Sequence, residues 1–162
     1  DAPIRVHLGV LDSEAYGVKS SSADMIRFVE GNMNLIRLDP KLKQAIVDTH
    51  VGYFKTGEMT QDLIWEQYAY PQALETILAG NSPKMIFEAN PVVKLNPPLR
   101  PQQSVLINKT GSTNGFGAYA AFVPAKNMGI VILANKSYPI EPRVTAAYQI
   151  LTAVADQTGS KH

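Results

Sequence analysis

The 162 residues contain no cysteine. That rules out disulfides, thiolate catalysis and cysteine-based zinc sites, but leaves the compartment open because many exported proteins also lack disulfides. Neither sign of charge dominates, with 15 Lys and Arg against 14 Asp and Glu. The basic residues are scattered singly, so no footprint for nucleic acid or an anionic membrane surface is present. Long apolar runs are also missing. The run Ile130 to Ala134 is far short of the roughly 20 residues that cross a bilayer, which predicts a soluble chain. His7, His50 and His162 lack the His-x-x-x-His spacing of a metal pair, so neither a metal nor a cofactor is expected. No basic-then-apolar leader opens the sequence, and Asp1-Ala2-Pro3 reads as a start inside a longer protein.

Hydrophobic residues make up 45% of the chain, enough for one globular domain with a real core. Met25, Phe28, Val29 and Met33 recur at helical spacing behind Ser21 and Asp24, which resemble a capping box. Asp39-Pro40 is a cap followed by a first-turn proline, and it predicts a second helix to about His50, with Leu42, Ala45 and Ile46 on one face. Gly52 to Trp65 is consistent with a small hairpin broken at Gly57. Pro71 to Ala79 predicts a short helix stopped by Gly80-Asn81. The five prolines between Ser82 and Gln103 then predict a connection with little regular structure. Val105 to Ile107, Ala118 to Val123 and Ile130 to Ala134 predict strands, of which the last two look buried on both faces. Only Pro124 to Asn127 joins those two, too short a link for a parallel crossover, so they must pair antiparallel. Val144, Ala147, Tyr148, Leu151 and Val154 mark a closing helix able to pack on that sheet. The expected class is therefore α/β (α+β), an antiparallel sheet with flanking helices.

Chemistry concentrates in Asn108 to Gly117, where one cation, several hydroxyl and amide side chains and three glycines follow an apolar strand, and Gly111, Gly115 and Gly117 predict a tight turn into the strand Ala118 to Val123. Lys109 beside Thr110 can hold a carboxylate by charge and hydrogen bond, and glycine lets a ligand approach the backbone amides. By composition alone a tight turn with a solvated lysine is the better reading. It is not a P-loop, since no glycine stands five positions before a Lys-Thr pair.

The surroundings add a resemblance. Ile107 to Pro124 (INKTGSTNGFGAYAAFVP), Gly129 to Pro139 (GIVILANKSYP) and Arg143 to Leu151 (RVTAAYQIL) resemble the C-terminal strands and helix of class C serine β-lactamases. Leu11 to Asn32 resembles the segment flanking the substrate pocket of that family, and Trp65-Glu66 is similar to another shared patch. The resemblance spans nearly the whole of residues 1–162, in order. It implies the C-terminal portion of a periplasmic cephalosporin-hydrolysing enzyme that works through a serine acyl-enzyme. Lys109 and Thr110 would face the substrate carboxylate, with Gly111 beside them. The backbone amide of Ser112 would supply one oxyanion donor. Tyr16 and Asn114 would line the pocket. The implied partner is a β-lactam substrate.

Departures from the family pattern are as informative as the matches. No serine here has a lysine three positions later, and no tyrosine is followed two positions on by asparagine, so the family's Ser-x-x-Lys and Tyr-x-Asn elements are absent. In the family both lie N-terminal to everything present here, which implies a portion and not a degenerate enzyme. Ile140 stands where many members carry an asparagine, His7-Leu8 replaces a usual Ser-Pro, and Ile64 replaces a common glycine. Two other readings stay open. One is a DD-peptidase or esterase of the same superfamily. The other is a non-enzymatic fragment that associates with itself or with the missing N-terminal part through uncovered apolar surface.

Overall fold

The structure, a computed structural model, describes residues 18–113 and 115–159. Helix α1 spans Ser22–Asn32 and α2 spans Pro40–Asp48. Both begin as their sequences demand. The Ser21 hydroxyl oxygen accepts from the Asp24 amide at 3.2 Å and donates to its carboxylate at 2.8 Å. Asp39 Oδ1 accepts from the Lys41 amide at 2.9 Å, ahead of Pro40, whose missing N–H is harmless at that position. Strands β1 (Gly52–Thr56) and β2 (Met59–Asp62) form the expected hairpin about Gly57, whose φ of 55° suits glycine. Strand β3 (Glu66–Ala69) follows, then helices α3 (Leu74–Gly80) and α4 (Pro83–Phe87). The chain continues with β4 (Val93–Leu99), β5 (Val105–Thr113), β6 (Phe116–Val123), β7 (Met128–Ala134) and α5 (Ile140–Gly159).

The strands make one seven-stranded sheet in the order β4-β1-β2-β3-β5-β6-β7, and every neighbouring pair is antiparallel. Two apolar clusters lie on its opposite faces. Tyr68, Ile77, Tyr119, Ala121 and Val123 pack with Val144, Ala147 and Leu151 of α5. On the other face Val29 of α1 meets Trp65, Ile107 and Phe122. The α1 face also holds a ring cluster, with Trp65 edge-on to Phe122 at 5.2 Å and stacked near Phe28 at 6.0 Å. His50 is buried there, its Nε2 3.0 Å from Oδ1 of Asn32.

Four sequence expectations need correction. Residues 82–103 contain α4 and β4. Pro83 falls in the first turn of α4, and Pro97 and Pro98 sit in a strand at the sheet edge, where a missing donor is tolerated. Of Gly111, Gly115 and Gly117, only Gly115, with φ of 91°, lies between β5 and β6. The other two lie within those strands. The expected apolar face of α2 is not covered by described residues, since Leu42 and Ala45 are exposed and Ile46 is half-buried. Finally, β6 is buried along most of its length but β7 is half-exposed, with Leu133 open to solvent. No helix among the described residues is long and apolar enough to cross a membrane.

Candidate active site

Strand lengths create the site. Pairing of β3 with β5 runs from Ala69↔Val105 to Glu66↔Asn108 and stops there, whereas β5 and β6 stay paired to Thr113↔Phe116. Lys109 to Thr113 are therefore laddered on one side only, and their other edge borders a cavity. An unpaired strand edge offers N–H and C=O groups to whatever lies beside it. The cavity, of about 820 Å³, is lined by Glu66, Asn81, Ile140 and Lys109 to Ser112.

Buried groups hold its floor. Asn108 is fully buried, and its Nδ2 donates to the Glu66 carbonyl at 3.0 Å while its Oδ1 accepts from Asn81 at 3.2 Å. Asn81 also donates to the Ile77 carbonyl at 2.9 Å, which ties the end of α3 to β3 and β5. Lys109 reaches across to ion-pair with Oε1 of Glu66. Its side chain keeps 48% exposure while that of Glu66 keeps only 11%, so the ammonium faces the cavity and the carboxylate backs it. Glu66 Oε2 and Asn81 Oδ1 meet no protein donor among the described residues.

The far end of the site is held by Arg143, one turn into α5. Its Nε donates to the Pro139 carbonyl at 3.1 Å, Nη1 to the Gly111 carbonyl at 2.7 Å and also to the Ala118 carbonyl, and Nη2 to Ser112 Oγ at 2.8 Å. All four partners are neutral oxygens. Burial lowers its affinity for the proton from the usual arginine value. Gly117 makes room for it, since a methyl there would lie 3.1 Å from both Cζ and Nη1.

The structure thus brings together Lys109, Thr110, Gly111 and Ser112. Tyr16 and Asn114 lie outside the described residues. Sequence reasoning did not single out Glu66, Asn81, Asn108 or Arg143 as site residues. Three of them stood inside segments that carried the resemblance, Glu66 in Trp65-Glu66, Asn108 in INKTGSTNGFGAYAAFVP and Arg143 in RVTAAYQIL, but nothing in the sequence joins Glu66 to Lys109 or Arg143 to Gly111. Ile140, the noted departure, does line the cavity. Among the described residues no group of three His, Asp or Glu side chains could hold a metal ion.

An antiparallel sheet with helices on both faces, and a Lys-Thr-Gly strand edge opening on a cavity, defines a class of protein found among known structures. The chain matches a D-alanine carboxypeptidase AmpC from Burkholderia cenocepacia at 56% identity and a TM-score of 0.90, covering 94% of this chain and 44% of that one. It matches a class C β-lactamase solved in complex with cefoxitin at 53% identity and a TM-score of 0.89, covering 94% of this chain and 42% of that one. The family model for β-lactamase matches residues 1–155, and the chain belongs to the β-lactamase family. Two curated relatives are the β-lactamases of Lysobacter lactamgenus, 52% identical over 149 residues, and of Pseudomonas fluorescens, 51% identical over 152. These alignments take in 92% and 94% of this chain but 39% and 42% of the relatives. The chain thus spans about two fifths of the length of the curated relatives it matches.

Proposed function

We propose that the chain is the C-terminal portion of a periplasmic class C β-lactamase that opens cephalosporins through a serine acyl-enzyme, and that it carries the carboxylate-binding and oxyanion groups but not the nucleophile. The observation that carries this reading is the open edge of β5, where Lys109 and Thr110 border the same cavity as Ser112. In that reading the Lys109 ammonium, held in place by Glu66, meets the substrate carboxylate together with the Thr110 hydroxyl. The Ser112 amide meets the negative charge that develops on the lactam oxygen during acylation. Attack on the lactam carbonyl needs the nucleophilic serine and the base of the Ser-x-x-Lys and Tyr-x-Asn elements, which residues 1–162 do not contain, so the isolated chain should be close to inert.

The test is chromogenic cephalosporin hydrolysis by two proteins. One is the purified chain. The other is the chain joined behind the part of the Pseudomonas fluorescens β-lactamase that precedes its matching region. The reading expects no turnover from the first and enzyme-level turnover from the second. Turnover by the isolated chain at a rate typical of the family would overturn it. A second reading, a D-alanine carboxypeptidase, is favoured by the names of two structural relatives, which are 56% and 55% identical. Release of D-alanine from a D-alanyl-D-alanine peptide by the joined protein, with little lactam turnover, would select it.

A further inference from the structure

We propose that Arg143 is a positioning residue for the oxyanion amide, acting through the peptide unit that joins Gly111 to Ser112. This inference rests on the reading of Ser112 given above. The carbonyl of Gly111 and the N–H of Ser112 belong to one planar, resonance-coupled group. Arg143 Nη1 donates to that carbonyl at 2.7 Å, and Nη2 donates to the Ser112 hydroxyl at 2.8 Å. A cation that hydrogen-bonds the oxygen of an amide draws electron density toward it. The N–H at the other end becomes a better donor, as in any polarised hydrogen-bond chain. The same two contacts fix the rotation of the peptide plane and so the direction in which the N–H points.

Three features make the arrangement specific. Nη1 also donates to the Ala118 carbonyl, and Gly111 and Ala118 are register partners, so one nitrogen bridges β5 and β6 at the point where the Lys-Thr-Gly run ends. Nε is anchored on the Pro139 carbonyl, which sets the guanidinium against its own helix start. Gly117, the register partner of Ser112, leaves the space the planar group occupies. No carboxylate is among the four acceptors, so the charge is spent on backbone dipoles and one hydroxyl. Lysine could supply the charge but not the fork that reaches both the Gly111 carbonyl and the Ser112 hydroxyl.

The effect belongs to the transition state, because the amide meets negative charge on the lactam oxygen only as that charge develops during acylation. In the joined protein Arg143→Gln should lower kcat about tenfold or more while KM changes less than twofold, and Arg143→Lys should recover part of the loss. In the isotope-labelled chain, Arg143→Gln should move the Gly111 carbonyl 13C and Ser112 amide 15N resonances upfield together, with those of Ala121 and Phe122 in place. If that variant does not fold, the wild-type chain decides by itself, since a through-hydrogen-bond coupling between an Arg143 side-chain nitrogen and the Gly111 carbonyl carbon is required. Its absence, unmoved Gly111 and Ser112 resonances, or a variant that raises KM and spares kcat would each overturn the inference while leaving the proposed function standing. A joined protein with no hydrolysis at all would instead sink the proposed function, and this inference with it.

Discussion

Two buried ionisable side chains on this scaffold give opposite pH dependences. Asp62 is almost fully buried, neither carboxylate oxygen meets a protein donor among the described residues, and burial pushes its pKa up to about 8. A group whose folded pKa is raised stabilises the fold below its unfolded value, near 3.8, and loses that stabilisation as pH rises through about 8. Burial pulls His50 the other way, from 6.5 down to about 4. Its contribution is complete above pH 6.5 and disappears as pH falls toward 4. Between pH 6.5 and 8 the Asp62 slope therefore stands without opposition from His50. Urea titrations of the isolated chain should show stability falling across that window, and Asp62→Asn should flatten the fall and raise stability at pH 8 by at least about 1 kcal/mol. His50→Gln should leave that window unchanged and remove the opposing slope below pH 6.5, so that stability falls with rising pH there as well. A wild-type profile level from pH 6.5 to 8 would contradict the assignment of Asp62. At this scale the sequence revealed Lys109, Thr110, Gly111 and Ser112, because a local run of residue types carries their chemistry. Glu66 and Arg143 stayed hidden because their roles depend on partners 43 and 32 positions away in the chain.

Helix and strand contacts explain which elements were legible. The α1 cap, the Asp39-Pro40 start of α2 and the β6–β7 pairing were readable because each depends on residues within a few positions of one another. By contrast β4 was missed, since prolines argue against a strand unless it lies at an edge, and edge position is a property of the whole sheet. Contact between α3 and β3 was likewise invisible. It gives a sharp test, because a methyl added at Gly80 would fall 1.8 Å from the Tyr68 hydroxyl oxygen and 2.9 Å from its ring carbon Cζ. Tyr68 is buried and cannot swing away cheaply. Gly80→Ala should destabilise the chain by about 1–3 kcal/mol, despite alanine's better helix propensity. A thermal or urea midpoint equal to that of the parent would show that α3 does not close on β3 as described.

Taken whole, the molecule leaves apolar surface uncovered beside its candidate site. Phe28, Ile64 and Leu133 are exposed, and they line a groove that also reaches Lys109 and Thr110. A chain spanning about two fifths of its curated relatives is expected to meet other protein there. At micromolar concentration the isolated chain should elute from a sizing column ahead of a 17.7 kDa standard. The joined protein should elute as a monomer, and a clean monomer of the isolated chain would count against an interaction surface. The central claim is that the edge of β5 binds substrate, and Lys109 tests it most directly in the joined protein. Loss of one charge-assisted contact is worth about 1.5–3 kcal/mol, so Lys109→Ala should lower kcat/KM well over tenfold. Lys109→Ala should also lower stability by about 1–3 kcal/mol, because it takes the counterion from the Glu66 carboxylate, which is 11% exposed and whose other oxygen meets no protein donor among the described residues, so activity is to be compared well below the unfolding midpoint. Lys109→Arg should also be impaired, because a planar fork does not reproduce a compact ammonium. Hydrolysis of cephalosporins by both variants at the parent rate would contradict the account.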